Sequence, residues 1–181
     1  GSHDWTDYDQ ANERGDNIWQ NRTDAWARED WANITMDDGS RNWYDYDQDG
    51  TQGWSQVQSR FDASGREDYA TVFVDDGSRN RYDYVQDGSQ GWSLVQSRFD
   101  ALGREDWTNV FVDDGSRNWY DYDQDDSQGW SRVESHFDVQ GREAFATVAM
   151  DGGHYSVTDY DETADQSWRD VISHYRATGQ V

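Results

Sequence analysis

The chain has 181 residues and a net charge of −23; only 33% of it is apolar, yet it holds 11 Trp and 11 Tyr. That charge excludes duplex nucleic acid as a partner, because phosphate contacts need a basic face, and favours cations, cationic partners or plain solubility. With no Cys there are no disulfides, zinc-thiolate sites or thiol catalysis, and no apolar run approaches the roughly 20 residues of a membrane helix, so no membrane insertion is expected.

A unit of 38 residues dominates the chain. Asp37, Asp75, Asp113 and Asp151 open successive copies without insertion or deletion, and the copies from Asp37 and Asp75 agree at 30 of 38 positions. A fixed period of this length marks a repeat array, in which each unit buries its apolar face against its neighbours. The expected organisation is 1–3 as an expression scar, 4–36 as a degenerate first repeat, 37–74, 75–112 and 113–150 as full repeats, and 151–181 as a partial or capping repeat. No linker breaks the register, which argues for one elongated domain with an aromatic core.

In the first repeat, Trp5, Asp7, Tyr8, Asp9 and Gln10 align with Trp43, Asp45, Tyr46, Asp47 and Gln48. Between them and the next recognisable segment the sequence has diverged and carries Trp19 and Trp26. In the repeat from Asp37, Asp38-Gly39 is a hairpin signal. The Arg41–Asp47 run that follows alternates by side, as a strand does. Asp45, Asp47 and Asp49, before Gly50, then have the Asp-x-Asp-x-Asp-Gly form of a calcium loop, whose hard oxygens at alternate positions suit Ca²⁺. The Glu that would complete an EF-hand is Gln56 here.

In the repeat from Asp75, Val85 interrupts the acidic triad. In the repeat from Asp113 the triad returns as Asp121, Asp123 and Asp125, with Asp126 in place of the glycine. The segment Trp92–Phe99 fits a helix, with Trp92, Val95, Phe99 and Leu102 on one side, or a strand, with Val95, Ser97 and Phe99 on one face; the strand is favoured, because Phe99-Asp100-Ala101-Leu102-Gly103-Arg104 has the look of a second hairpin turn. That makes three strands per unit in a continuous antiparallel meander. In the last repeat Trp168, Val171, Ile172 and Tyr175 fall at helical spacing, which predicts a capping helix over the open edge.

Two aromatic columns, Trp54, Trp92, Trp130, Trp168 and Trp31, Tyr69, Trp107, Phe145, read as core ladders of ring over ring. A third, Trp5, Trp43, Arg81 and Trp119, tolerates Arg and therefore reads as exposed. Trp43, Trp119 and Arg81 are thus candidate ligand-binding residues. A flat ring flanked by Asp, Asn and Arg suits a sugar. The recurrent Arg66, Arg104 and Arg142, with Arg41, Arg79 and Arg117, read as structural pairing, since Arg forks with carboxylates and stacks on rings. No carboxylate pair stands out as a general acid and base, His136, His154 and His174 form no pattern, and repeated near-identical units suit a single active site poorly. No catalytic residue is expected.

Phe61-Asp62-Ala63-Ser64-Gly65-Arg66, followed by Asp76-Gly77 and Tyr82-Asp83-Tyr84, resembles the YD repeat of bacterial Rhs-type proteins. The likeness recurs from Phe99 to Asp123 and, with losses, from Phe137 to Asp161. It departs from the YD pattern in its longer period and in Phe61 where that pattern has Tyr. The resemblance implies β-ribbons of large secreted or surface proteins. The expectation is an all-β tandem repeat with a structural or adhesive role, placed outside the cell or on a bacterial surface. Its partners would be glycans or protein surfaces, or further copies end to end. Two alternatives stand beside it: a lectin-like glycan-binding module, and a repeat that folds on binding calcium.

Overall fold

The computed structural model describes residues 1–9, 14–160 and 169–176. Every regular element among them is a β-strand. In chain order these are β1 His3–Tyr8, β2 Asp16–Thr23, β3 Glu29–Met36, β4 Arg41–Tyr46, β5 Trp54–Phe61, β6 Glu67–Val74 and β7 Arg79–Tyr84, then β8 Trp92–Phe99, β9 Glu105–Val112, β10 Arg117–Tyr122, β11 Trp130–Phe137, β12 Glu143–Met150, β13 Tyr155–Tyr160 and β14 Asp170–Tyr175. The fold is the expected all-β antiparallel meander, with three strands to each repeat. The chain divides into two compact units, Gly1–Gln86 with Ala101–Gly103, and Asp87–Asp100 with Arg104–Val181. The first holds β1 to β7 and the second β8 to β14.

Within each unit the strands form a single layer, each paired with its chain neighbours. Ala32 and Ala70 are the buried apolar residues among those described; the other buried residues are small and polar, such as Ser59, Ser97 and Ser135. Such a layer is held by cross-strand pairs rather than by a thick core. The aromatic core expected from composition is therefore replaced by half-exposed rings on both surfaces.

An odd number of antiparallel strands per repeat has a geometric consequence. Equivalent strands in successive repeats run in opposite directions, so equivalent residues must appear on opposite faces. The register shows it. In the first unit Trp31 lies across from Asp45, Asp45 from Val57, and Val57 from Val72. Tyr69 lies across from Arg60, Arg60 from Asn42, and Asn42 from Ile34, on the other face. In the second unit Trp107 and Phe145 are opposed in the same way. Neither Trp31 with Tyr69 nor Trp107 with Phe145 therefore forms a ladder, because the two members of each pair are on opposite faces of their unit's sheet.

The turns are built on carboxylates. Ser40 N–H donates to Asp38 Oδ1 at 2.8 Å, and Gly39 takes φ +82° while Asp38 does not turn left-handed. This is a type I turn with a glycine bulge. A Cβ on Gly77, at the same place one repeat on, would lie 3.2 Å from the Cβ of Ala101, so neighbouring turns interlock. In the Phe-Asp-x-x-Gly-Arg turn, Asp62 Oδ1 accepts the backbone N–H of Ser64 and Arg66, and Oδ2 accepts Arg66 Nε at 2.9 Å. Asp24–Arg28, Asp100–Arg104 and Asp138–Arg142 repeat the ion pair. The expected structural pairing of Arg66, Arg104 and Arg142 is thus present. Arg41 and Arg117 instead stack on Phe61 and Phe137, at 4.3 and 4.2 Å.

The C-terminal expectation is corrected. Val171, Ile172 and Tyr175 lie in β14, which pairs with β13, and not in a helix. Tyr155 and Tyr175 stack across that pair with centroids 4.6 Å apart. Gln10, Asp161 and Trp168, which carry part of the repeat pattern, lie outside the described residues. β1 begins at His3, so the tripeptide read as a scar supplies one paired residue.

Candidate functional site

The short strand of each repeat, β4, β7 or β10, carries the residues singled out for binding. Side chains two apart on a strand share a face, so Trp43 and Asp45 are neighbours there, as are Arg81 and Asp83, and Trp119 and Asp121. Asp45 also faces Trp31 across the β3–β4 pair. Trp43, one diagonal away, stacks on Trp31 with centroids 5.2 Å apart and planes at 16°. Trp107, Trp119 and Asp121 reproduce this, with centroids 5.1 Å apart and planes at 19°. One face of Trp43 and one of Trp119 are consequently taken by a partner ring.

Both aspartates sit badly as ions. Burial pushes the Asp45 carboxyl above its ordinary range, and the nearby Asp30 carboxylate adds to the rise. Asp121 is raised by burial and then by Asp106. Asp30 and Asp106 have guanidinium partners in Arg22 and Arg98, at 3.6 and 3.5 Å. Asp45 and Asp121 have no ion-pair partner among the described residues. Their cross-strand neighbours on the other side are Val57 and Val133, which cannot hydrogen-bond.

The repeat between them differs at one position. Arg81 stands where the others have Trp43 and Trp119. Its Nε and Nη2 both donate to Asp83, at 2.8 Å each, in a two-pronged fork. Its guanidinium carbon lies 5.5 Å from the centre of the Tyr69 ring. The same three positions thus hold either an aromatic pair beside a lone carboxylate, or a ring, a guanidinium and a carboxylate together.

The residues read as calcium ligands are placed otherwise. Asp47 accepts backbone N–H groups from Asp49, Gly50 and Gln52, and Asp49 accepts the N–H and hydroxyl of Thr51. Asp123 accepts the N–H of Gln128 at 2.6 Å, and Asp125 that of Ser127. These carboxylates cap their own loop, while Asp45 and Asp121 stay on the strand face. Among the described residues no three metal-ligating side chains cluster around a common point.

A cleft of about 520 Å³ opens beside Asp45, lined among others by Trp26, Asp30, Asp45 and Trp54. Trp26 is 78% exposed, with Arg28 over its ring at 5.3 Å. Of the histidines, His136 is engaged in the sheet by Asn118, at 2.6 Å, and by the ring of Phe145. The chain matches no protein-family model and no curated protein. Sequence reasoning missed the part played by Asp83 and Tyr69. The signal was present: Arg and Asp two apart on a strand must face the same way, and a ring directly across completes the set.

Proposed function

We propose that the chain is a structural and adhesive repeat segment of a secreted or surface protein, a scaffold that holds chemical groups on the two faces of a thin sheet. The observation that carries this reading is the recurrence of one device in the three full repeats. The same caps, the same Asp–Arg turns and the same register reappear, so each repeat needs only its neighbours to be complete. The YD-like motif supports it: Asp62, Gly65 and Arg66 close the turn between the two longer strands, and their equivalents at 100–104 and 138–142 close it in the next two repeats, with Ala27 in the glycine's place in the first. Nearest-neighbour completeness is what an extendable scaffold requires.

The test is to insert one further copy of residues 75–112 after Val112 in the full chain. A scaffold tolerates it: the protein stays soluble and β-rich, and the denaturant m-value rises by roughly a fifth, in proportion to the added surface. Loss of cooperative folding on insertion would overturn the reading. The calcium-dependent alternative makes a separate demand. Melting would have to shift upward in millimolar calcium relative to a chelator, and the shift would have to vanish in Asp45→Asn/Asp47→Asn.

A further inference from the structure

The middle repeat contains its own ligand. Arg81 forks onto Asp83 and lies over Tyr69, satisfying the carboxylate and covering the ring. In the repeats to either side, the same strand face offers the carboxylate and the aromatic surface without the cation. Trp43 and Trp119 fill the lateral space, stacked on Trp31 and Trp107, but carry no charge to neutralise Asp45 or Asp121. We infer that Asp45 with Trp31 and Trp43, and Asp121 with Trp107 and Trp119, are each a binding site for an arginine side chain of a polypeptide partner. One such site belongs to each compact unit.

Three features support arginine over other cations. The fork seen at Asp83 uses two donors of one planar group, which an ammonium cannot present. A guanidinium is weakly hydrated and stacks well on indole. The chain has 15 Arg and no Lys, so its own carboxylates and rings are matched throughout to guanidinium geometry. A cleft lined also by Trp26 and Trp54 opens beside the Asp45 carboxylate. The net charge of −23 draws a basic segment toward the surface before any specific contact forms. Two sites on one chain make a segment with several arginines a better partner than free arginine. This inference rests on the adhesive half of the proposed function and names the chemistry that adhesion would recognise.

The experiment is calorimetric titration of the full chain, at physiological salt, with an acetylated hexa-arginine peptide and with its hexa-lysine counterpart. Two double variants are compared. Asp45→Asn/Asp121→Asn removes the carboxylate. Trp43→Arg/Trp119→Arg installs the internal arginine and closes both sites from within. The wild type is expected to favour the arginine peptide, and each double variant to lose about tenfold or more in affinity for it, the worth of a charge-assisted fork. Melting temperature should hold or rise in both variants, which separates loss of binding from loss of fold. Arg81→Trp should open a third site and tighten binding.

Equal affinity for the two peptides, unchanged in both variants, would mean attraction by net charge only and would overturn the inference. So would binding of neutral oligosaccharides that Trp43→Ala/Trp119→Ala abolishes, since the rings would then be a sugar platform. If the inserted repeat unfolds the chain while arginine selectivity persists in the uninserted protein, the scaffold reading falls and this one stands.

Discussion

At the scale of single residues, two kinds of position are held in conformations or environments that their neighbours in sequence avoid. Ala27 occupies the left-handed turn position, φ +60°, that Gly65, Gly103 and Gly141 fill in the other Asp-x-x-x-Arg turns. A Cβ there costs about 1 kcal/mol. Ala27→Gly should therefore raise stability by roughly that amount, read as an upward shift of the thermal midpoint, and Gly65→Ala should lower it. Asp45 and Asp121 are the second case. Their folded carboxyls hold protons more tightly than those of the unfolded chain, so folding is helped while they are protonated. That help is lost as pH rises from the ordinary aspartate value through the raised folded one. The groups facing Asp45 that enter this balance are Asp30 and Asp47. Asp62 titrates in the opposite sense, because the Arg66 N–H and guanidinium hold its pKa down; its contribution is present at neutral pH and fades on acidification. The two effects are separated by comparing variants. Asp45→Asn/Asp121→Asn should be at least as stable as wild type at neutral pH, with a gain of no more than ~0.5 kcal/mol per half-buried site that shrinks in acid. Asp62→Ala should be destabilised at neutral pH and converge on wild type as pH falls.

At the scale of elements, the turns carry the information. Gly77 has φ +86° and its missing Cβ faces Ala101 at 3.2 Å, so Gly77→Ala strains the backbone and crowds the neighbouring turn together. A loss of about 1–3 kcal/mol in chemical unfolding is expected. The strands and hairpins were legible in the sequence because Asp-Gly-Ser, Asp-x-x-Gly-Arg and the long acidic loop punctuate every repeat, and β-branched and aromatic residues fill the spaces between. The end of β14 was not. Val171, Ile172 and Tyr175 satisfy helical spacing by coincidence, and only pairing with β13 decides for a strand. The acidic loop was legible as a constellation but not as a mechanism: spacing alone cannot say whether an Asp oxygen points at an ion or, as Asp47 does, at backbone N–H groups two to five residues on. Arg81 was read as a mark of exposure at a column of tryptophans. Its fork to Asp83 does not show in a column of equivalent residues along the repeat, because the partner lies two residues away on the same strand.

At the scale of the whole molecule, stability comes from repetition rather than from depth. No described apolar side chain larger than alanine is fully covered. The free energy is therefore spread over cross-strand pairs such as Trp31–Trp43, Trp107–Trp119 and Tyr155–Tyr175, each worth about 0.5–1.5 kcal/mol beyond its burial. Trp31→Ala and Trp107→Ala should accordingly act locally and nearly additively, each opening its own unit in hydrogen exchange while leaving the other protected. The exchange of faces with each repeat has an evolutionary corollary. Any recombination that adds or removes a single 38-residue block reverses which side of the ribbon the following block displays, whereas a double block leaves the display unchanged. Parity, not length alone, is then what selection can see.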